Sequence, residues 1–242
     1  SSTSVSLRTN TKGIADSAFS SCPSIMSITI PSGVTSIGDY AFYNCTSLTS
    51  ITIPSGVTSI GENAFSGCSS LESVTFGANS QLTSIGDYAF YNCTSLTSII
   101  IPERVTSMGW TAFGGCTSLE SMTIPFVGAT KDGTNNTYFG YIFGASFSDN
   151  NNCVPSSLET IIITGGTSIG WNAFRECISL TSVTIPDSVT SIGTGAFYEC
   201  FSLTSVTIGC GITEVESAAF YNCNIQNVYI SDLAAWCEID FG

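Results

Sequence analysis

From about Gly13 to Ile230 the chain repeats one arrangement of apolar and polar positions. Ala-Phe pairs end at Phe19, Phe42, Phe65, Phe90, Phe113, Phe174, Phe197 and Phe220, with spacings of 23, 23, 25, 23, 61, 23 and 23 residues. A fixed period of this kind decides the architecture before any local motif does. Each unit reads roughly V-T-S-I-G-x-x-A-F-x-x-C-x-S-L-x-S-I-T-I-P. Its L-x-x-I-x-I part recurs as Leu48/Ile51/Ile53, Leu71/Val74/Phe76, Leu96/Ile99/Ile101, Leu119/Met122/Ile124, Leu180/Val183/Ile185 and Leu203/Val206/Ile208. Worn copies stand at Ile25/Ile28/Ile30 and Ile225/Val228/Ile230. Apolar residues alternating with threonine predict a strand with one buried face. The prolines that follow, such as Pro31, Pro54 and Pro102, lack an N–H and end the ladder after three to five residues.

Val57 and Ile60 then return the chain to the interior, and D-Y-A-F-Y-N-C predicts one helical turn with the Ala-Phe pair inward. No unit can bury its apolar residues alone. Stacked at about 4.8 Å per rung, neighbours pair their strands and share one core. The gap of 61 residues holds two rungs with about 15 extra residues. Tyr141–Gly144 is expected to replace the Ala-Phe turn there, with Leu158, Ile161 and Ile163 supplying the next strand. The expected organisation is a single domain over 1–242 with nine rungs: a degenerate first rung at 1–30, an enlarged rung with an insertion at 126–157, and a non-repeat segment at 231–242.

The repeat resembles the BspA-like leucine-rich repeats, the 23-residue class of microbial surface proteins. The likeness rests on the recurring I-P-x-x-V-T-S-I-G-x-x-A-F-x-x-C-x-S-L. It implies an α/β leucine-rich-repeat solenoid, a curved right-handed coil with a parallel sheet on the concave face and short helical turns on the convex side. It also implies a cell-surface or extracellular location and adhesion, with no shared catalytic residues.

Composition narrows the partners. Eighteen acidic residues against five basic ones give a net charge of −13, which repels polyphosphates and argues against nucleic acid. The absence of histidine removes the commonest general base and metal ligand. No apolar stretch approaches the roughly 20 residues that span a bilayer, and the first residues lack a signal-peptide profile. A secreted form would therefore have lost its signal.

Eleven cysteines invite a disulfide reading. Eight of them, however, lie three residues after the repeat phenylalanine, from Cys22 to Cys223, which predicts a ladder of buried reduced thiols. Cys153, Cys210 and Cys237 break the pattern.

Between the buried strand residues, Thr52, Thr75, Thr123, Thr184, Thr207 and Tyr229 form an exposed column with Thr29, Ile100 and Ile162. β-branched residues suit such a position without any ligand; the functional alternative is a face that binds protein or glycan through many weak contacts. The insertion carries Tyr138, Phe139, Tyr141, Phe143 and Phe147, which either fill the degenerate rung or anchor a partner. Trp110 and Trp171 sit at the outer edge. Asp149 to Asn152 offer oxygens to calcium, but the D-x-[DN]-x-[DN]-G pattern is missing. Asp39, Glu62 and Asp87 form an outer stripe read as solvation.

The expected function is a non-catalytic, monomeric binding module without metal or cofactor. Its ligand would be a protein or glycan, held at the concave face and inserted loop. A structural spacer with no ligand of its own is the alternative.

Overall fold

The computed structural model describes residues 3–146 and 150–241. The chain forms two compact units, Ser1–Leu119 and Glu120–Gly242, and each is a parallel β-solenoid of stacked rungs.

In the first unit the long strands Thr3–Ser6, Ile25–Thr29, Ser50–Ile53 and Ser73–Phe76 pair in that order, all parallel. Ser98–Ile100 supplies the long strand of the following rung. Alternation is kept: Ile51 and Ile53 are buried while Ser50 and Thr52 are exposed. Like residues stack, Thr52 on Thr75 and Ile51 on Val74. A second parallel series, Ser36–Ile37, Ser59–Ile60, Ser84–Ile85 and Ser107–Met108, closes another side. Thr3–Ser6 carries no copy of the repeat, yet its alternation about Val5 lets it extend the sheet.

The Ala-Phe corner is not the helical turn the pattern suggests. Tyr40 and Asn44, two residues either side of Phe42, have φ of 56° and 54°, in the left-handed region that right-handed helices do not use. Ala41 and Tyr43 donate backwards within the rung, to the carbonyls of Gly38 and Tyr40. Tyr40, Phe42 and Asn44 instead donate to the carbonyls of Glu62, Ala64 and Ser66 in the next rung, at 2.8, 2.7 and 2.8 Å. A helix would use its N–H groups internally; the left-handed residues turn every second one outward, so the corner is itself a ladder. The left-handed pair recurs at Asn63/Gly67, Tyr88/Asn92 and Thr111/Gly115, and the first two of these repeat the donation to the next rung.

This ladder stacks the phenylalanines. Phe19, Phe42, Phe65, Phe90 and Phe113 lie with successive ring centroids 5.1–5.3 Å apart and nearly parallel faces. Rings from Phe42 to Phe113 are fully buried.

The second unit repeats the scheme with long strands Ser121–Ile124, Thr160–Ile163, Ser182–Ile185, Ser205–Ile208 and Asn227–Ile230. Its short strands are Ser168–Ile169, Ser191–Ile192, Glu214–Val215 and Asp240–Phe241. Five long strands thus stand in each unit among the described residues, against nine expected in all. The last short strand lies in the segment read as outside the repeat, which also holds the helix Leu233–Cys237, capped by the Asp232 carboxylate. In the final long strand Val228 remains 45% exposed instead of joining a core.

The enlarged rung takes 39 residues from Ser121 to Thr160. Here Phe139, not the Tyr141–Gly144 segment, occupies the repeat position. Its N–H donates to the Ala173 carbonyl at 2.7 Å, and its ring lies 5.0 Å from that of Phe174. The following residues turn away as a 3-10 helix, Phe139–Phe143. The side chain of buried Asn150 supplies the missing donor to the Arg175 carbonyl and adds a second to that of Ala173, while its oxygen accepts from the Gly140 N–H. Phe147 and Asp149 lie outside the described residues.

Candidate functional site

Most repeated polar groups are used by the stack itself. The thiols of Cys45, Cys68, Cys93 and Cys116 donate to the carbonyls of Phe19, Phe42, Phe65 and Phe90 at 3.1–3.3 Å. None of the eleven cysteines forms a disulfide among the described residues. Burial pushes the Cys45 thiol up to about 11 and that of Cys116 to about 12, so neither is a nucleophile at neutral pH. Thr58, Thr83 and Thr106 cap the carbonyls of Thr35, Thr58 and Thr83 with their hydroxyls.

The acidic stripe has a role that solvation alone does not describe. Asp16 Oδ1 accepts the Asp39 N–H, Asp39 Oδ1 the Glu62 N–H, and Asp87 Oδ1 the Trp110 N–H, at 2.8–2.9 Å. In the second unit Asp187, at the corner after Pro186, accepts the Cys210 N–H of the next rung, and Glu216 accepts the Thr194 N–H of the rung before. These carboxylates pair N–H groups at the rung corner. Glu216 is held below the usual carboxylate range by its bonds from Thr194, and the Glu62 carboxylate pushes the Tyr40 phenol up.

The surface column is uneven. Thr52 and Thr75 are exposed and share a 2.9 Å hydrogen bond. Thr123, Thr184 and Thr207 are half-buried, and Tyr229 is 58% exposed. Trp171 is exposed. Trp110 lies edge-on to Tyr88, so part of its ring is already covered.

Around the enlarged rung the aromatics serve mainly as core. Phe126, Phe139 and Phe143 are buried, which corrects the placing of Phe139 among partner contacts: its ring fills the phenylalanine stack and meets no solvent. Tyr138 and Tyr141 are half-buried, packed edge to face, with the Tyr138 hydroxyl on the Ala145 carbonyl. A cavity between this rung and the next, lined by Phe139, Asn150, Leu158 and Cys177, measures about 40 Å³. That volume has room for water but not for an organic ligand.

A larger feature was not foreseen. Beside the long strands of the first unit lies a groove of about 690 Å³. It arises where one rung, Ser73 to Ser98, has 25 residues instead of 23. There A-N-S-Q replaces the usual proline turn. The loop Gly77–Gln81 is braced by the Gln81 N–H on the Ser55 carbonyl at 2.8 Å and by the Gln81 side chain on the Asn79 carbonyl at 2.7 Å. Asn79 takes φ of 55°. Thr75, Ser98 and Ile100 form the floor, and Pro102, Glu103 and Arg104 the opposite wall. Ile100 stands where neighbouring rungs carry threonine and is 69% exposed. Exposed Arg104 forms no ion pair among the described residues. The 25-residue spacing was the available signal.

No group of three or more Cys, Asp or Glu converges as a metal site among the described residues, and no helix there is long and apolar enough to cross a membrane.

With this geometry established, the sequence matches the family model described as BspA type leucine rich repeat region, in six copies over residues 11–139 and 167–236. The chain belongs to the BspA-type leucine-rich repeat family. The match breaks off at Phe139, where the enlarged rung leaves the regular path. A leucine rich cell surface protein from Faecalibacterium prausnitzii A2-165 is 30% identical, with a TM-score of 0.51, over 98% of this chain and 75% of that one. The pneumococcal vaccine antigen PcpA shares the fold at 19% identity and a TM-score of 0.51, over 95% of this chain and 79% of its own. No curated protein sequence matches. Like the surface protein from Faecalibacterium, this BspA-type chain is a stack of leucine-rich rungs, an architecture whose usual work is binding or scaffolding.

Proposed function

We propose that the chain is a non-catalytic, monomeric binding module of a cell-surface or secreted protein. It holds a protein or glycan through the long-strand face and the surface of the enlarged rung. The observation that carries this reading is Ile100. A spacer has no use for a branched aliphatic side chain, 69% exposed, in a column of threonines. Around it, one lengthened loop opens a groove beside the long strands. Exposed apolar groups framed by polar ones mark interaction sites.

Family membership and the surface description of the Faecalibacterium protein support the location. The second contact region comprises exposed Trp171 and half-buried Tyr138 and Tyr141.

The test is binding of the intact chain to arrays of extracellular-matrix proteins and glycans. Parallel variants are Ile100→Thr and one in which 130–136 are replaced by a Gly-Ser linker, sparing Phe126 and Phe139. Saturable binding weakened by at least one variant is expected. A chain that binds nothing above an irrelevant solenoid control is a spacer.

A further inference from the structure

We infer that the groove around Ile100 and Arg104 receives a peptide segment carrying a carboxylate next to an aliphatic anchor. This rests on the binding-module reading and narrows its ligand.

Three features of the groove point to that chemistry. Ser73–Phe76 is already paired with Ser50–Ile53 and lies beside Ser98–Ile100. The two strands form no ladder with each other, each ending a separate sheet, and selection among peptides falls to the side chains of the groove. The floor is apolar at its centre, where Ile100 projects; an aliphatic anchor covering it removes apolar surface from water on both partners. Arg104 is one of five basic residues in a chain of net charge −13, is exposed, and has no ion-pair partner among the described residues. A guanidinium left unpaired in so acidic a molecule offers a two-pronged donor set suited to a carboxylate.

Asn79 and Gln81 in the loop, with Thr75 and Ser98 on the floor, line the groove with amides and hydroxyls, matching the N–H and C=O groups of a peptide backbone. A sugar ring would be better served by an exposed flat aromatic face. The floor presents branched aliphatic carbon at Ile100, and Phe76 is half-buried, so the peptide is favoured over the glycan.

The experiment pans a random peptide display library on the intact chain, with glycan and extracellular-matrix arrays run in parallel. Enriched peptides should carry Asp, Glu or a free C-terminal carboxylate within a few residues of Leu, Ile, Val or Met. A synthetic peptide from that pool should bind the Ile100→Thr variant about tenfold more weakly, since two floor contacts of aliphatic carbon are lost. Arg104→Gln should weaken it about threefold in dilute buffer, the difference shrinking as salt is added. Both positions are exposed, and an unchanged circular dichroism spectrum confirms that the variants fold. Absence of enrichment, enrichment of basic peptides, or affinities indifferent to both substitutions would overturn the inference. Glycan binding sensitive to Ile100→Thr would also overturn it while leaving the module reading intact, as would matrix-protein binding indifferent to both variants. Silence in every arm defeats both.

Discussion

Replacing Phe65 with alanine tests the stack where it is best defined. The ring is fully buried and faces Phe42 at 5.1 Å and Phe90 at 5.3 Å. Truncating a buried phenylalanine to alanine costs about 3–5 kcal/mol through lost transfer energy and the cavity left behind. Each of the two ring pairs contributes about 0.5–1.5 kcal/mol beyond burial, so the expected loss is about 4–8 kcal/mol. Phe19 supplies the internal control. Its ring is half-buried and stacks on Phe42, so Phe19→Ala breaks one interface and leaves a site open to water, at about 1–3 kcal/mol. Urea unfolding monitored by circular dichroism gives both values. Native-state hydrogen exchange adds the local signature, since the N–H groups of Phe42 and Asn44, bonded to the Phe65 rung, should lose protection first. A Phe65→Ala chain within about 1 kcal/mol of the parent, or a Phe19→Ala cost as large as that of Phe65→Ala, would refute the idea that stability is carried by interfaces between rungs.

Thiol chemistry and corner carboxylates provide further checks. In native protein at pH 8, exposed Cys210 and Cys237 should react with a disulfide reagent well before the buried thiols; simultaneous reaction of all eleven would contradict the ladder. The folded values of Cys45 and Cys116, about 11 and about 12, lie above the ordinary value of 9.0. The unfolded chain therefore releases these protons first as pH rises. Stability should be full below about pH 9 and fall as pH climbs through the folded values, and an unfolding midpoint constant from pH 8 to 11 would count against this. Asp39→Ala removes the acceptor for the Glu62 N–H and should cost about 1 kcal/mol. Asp39→Asn, which keeps an oxygen there, should cost less; equal losses would show that the bond contributes nothing.

The rungs were legible because each buried position recurs with the same chemistry. Ile51 and Ile53 read as a strand from alternation alone and are buried in one, with Leu48 buried just before it. The corner was misread because D-Y-A-F-Y-N-C has the length and apolar placement of a helical turn. A partial contrary signal was present: Asn44, Gly67, Asn92, Gly115 and Asn222 occupy one repeat position and are residue types that tolerate left-handed backbone, although Ser21, Glu176 and Glu199 hold the same position and the same backbone. In the enlarged rung, Y-I-F-G looked like the missing pair, but the ladder bond to Ala173 selects Phe139. Sequence spacing could not supply that information, because the choice depends on the next rung. The carboxylates were visible as a stripe, but their hydrogen bonds depend on a register that only stacking creates. For the groove, the two extra residues were countable; the direction in which Gly77–Gln81 turns was not.

The corner ladder also bears on how such an array changes length over evolutionary time. Donors on Tyr40, Phe42 and Asn44 meet acceptors one period onward, and Asn63, Phe65 and Gly67 offer the same three donors to the rung beyond. Copying or excising one whole period by unequal recombination therefore returns every join to an interface the protein already contains. A cut of any other size brings mismatched edges together. Genes for such chains are free to expand and contract in 23-residue steps, while the groove, which departs from the period, survives only where the rung with the lengthened loop stays next to the rung that bears Ile100 and Arg104.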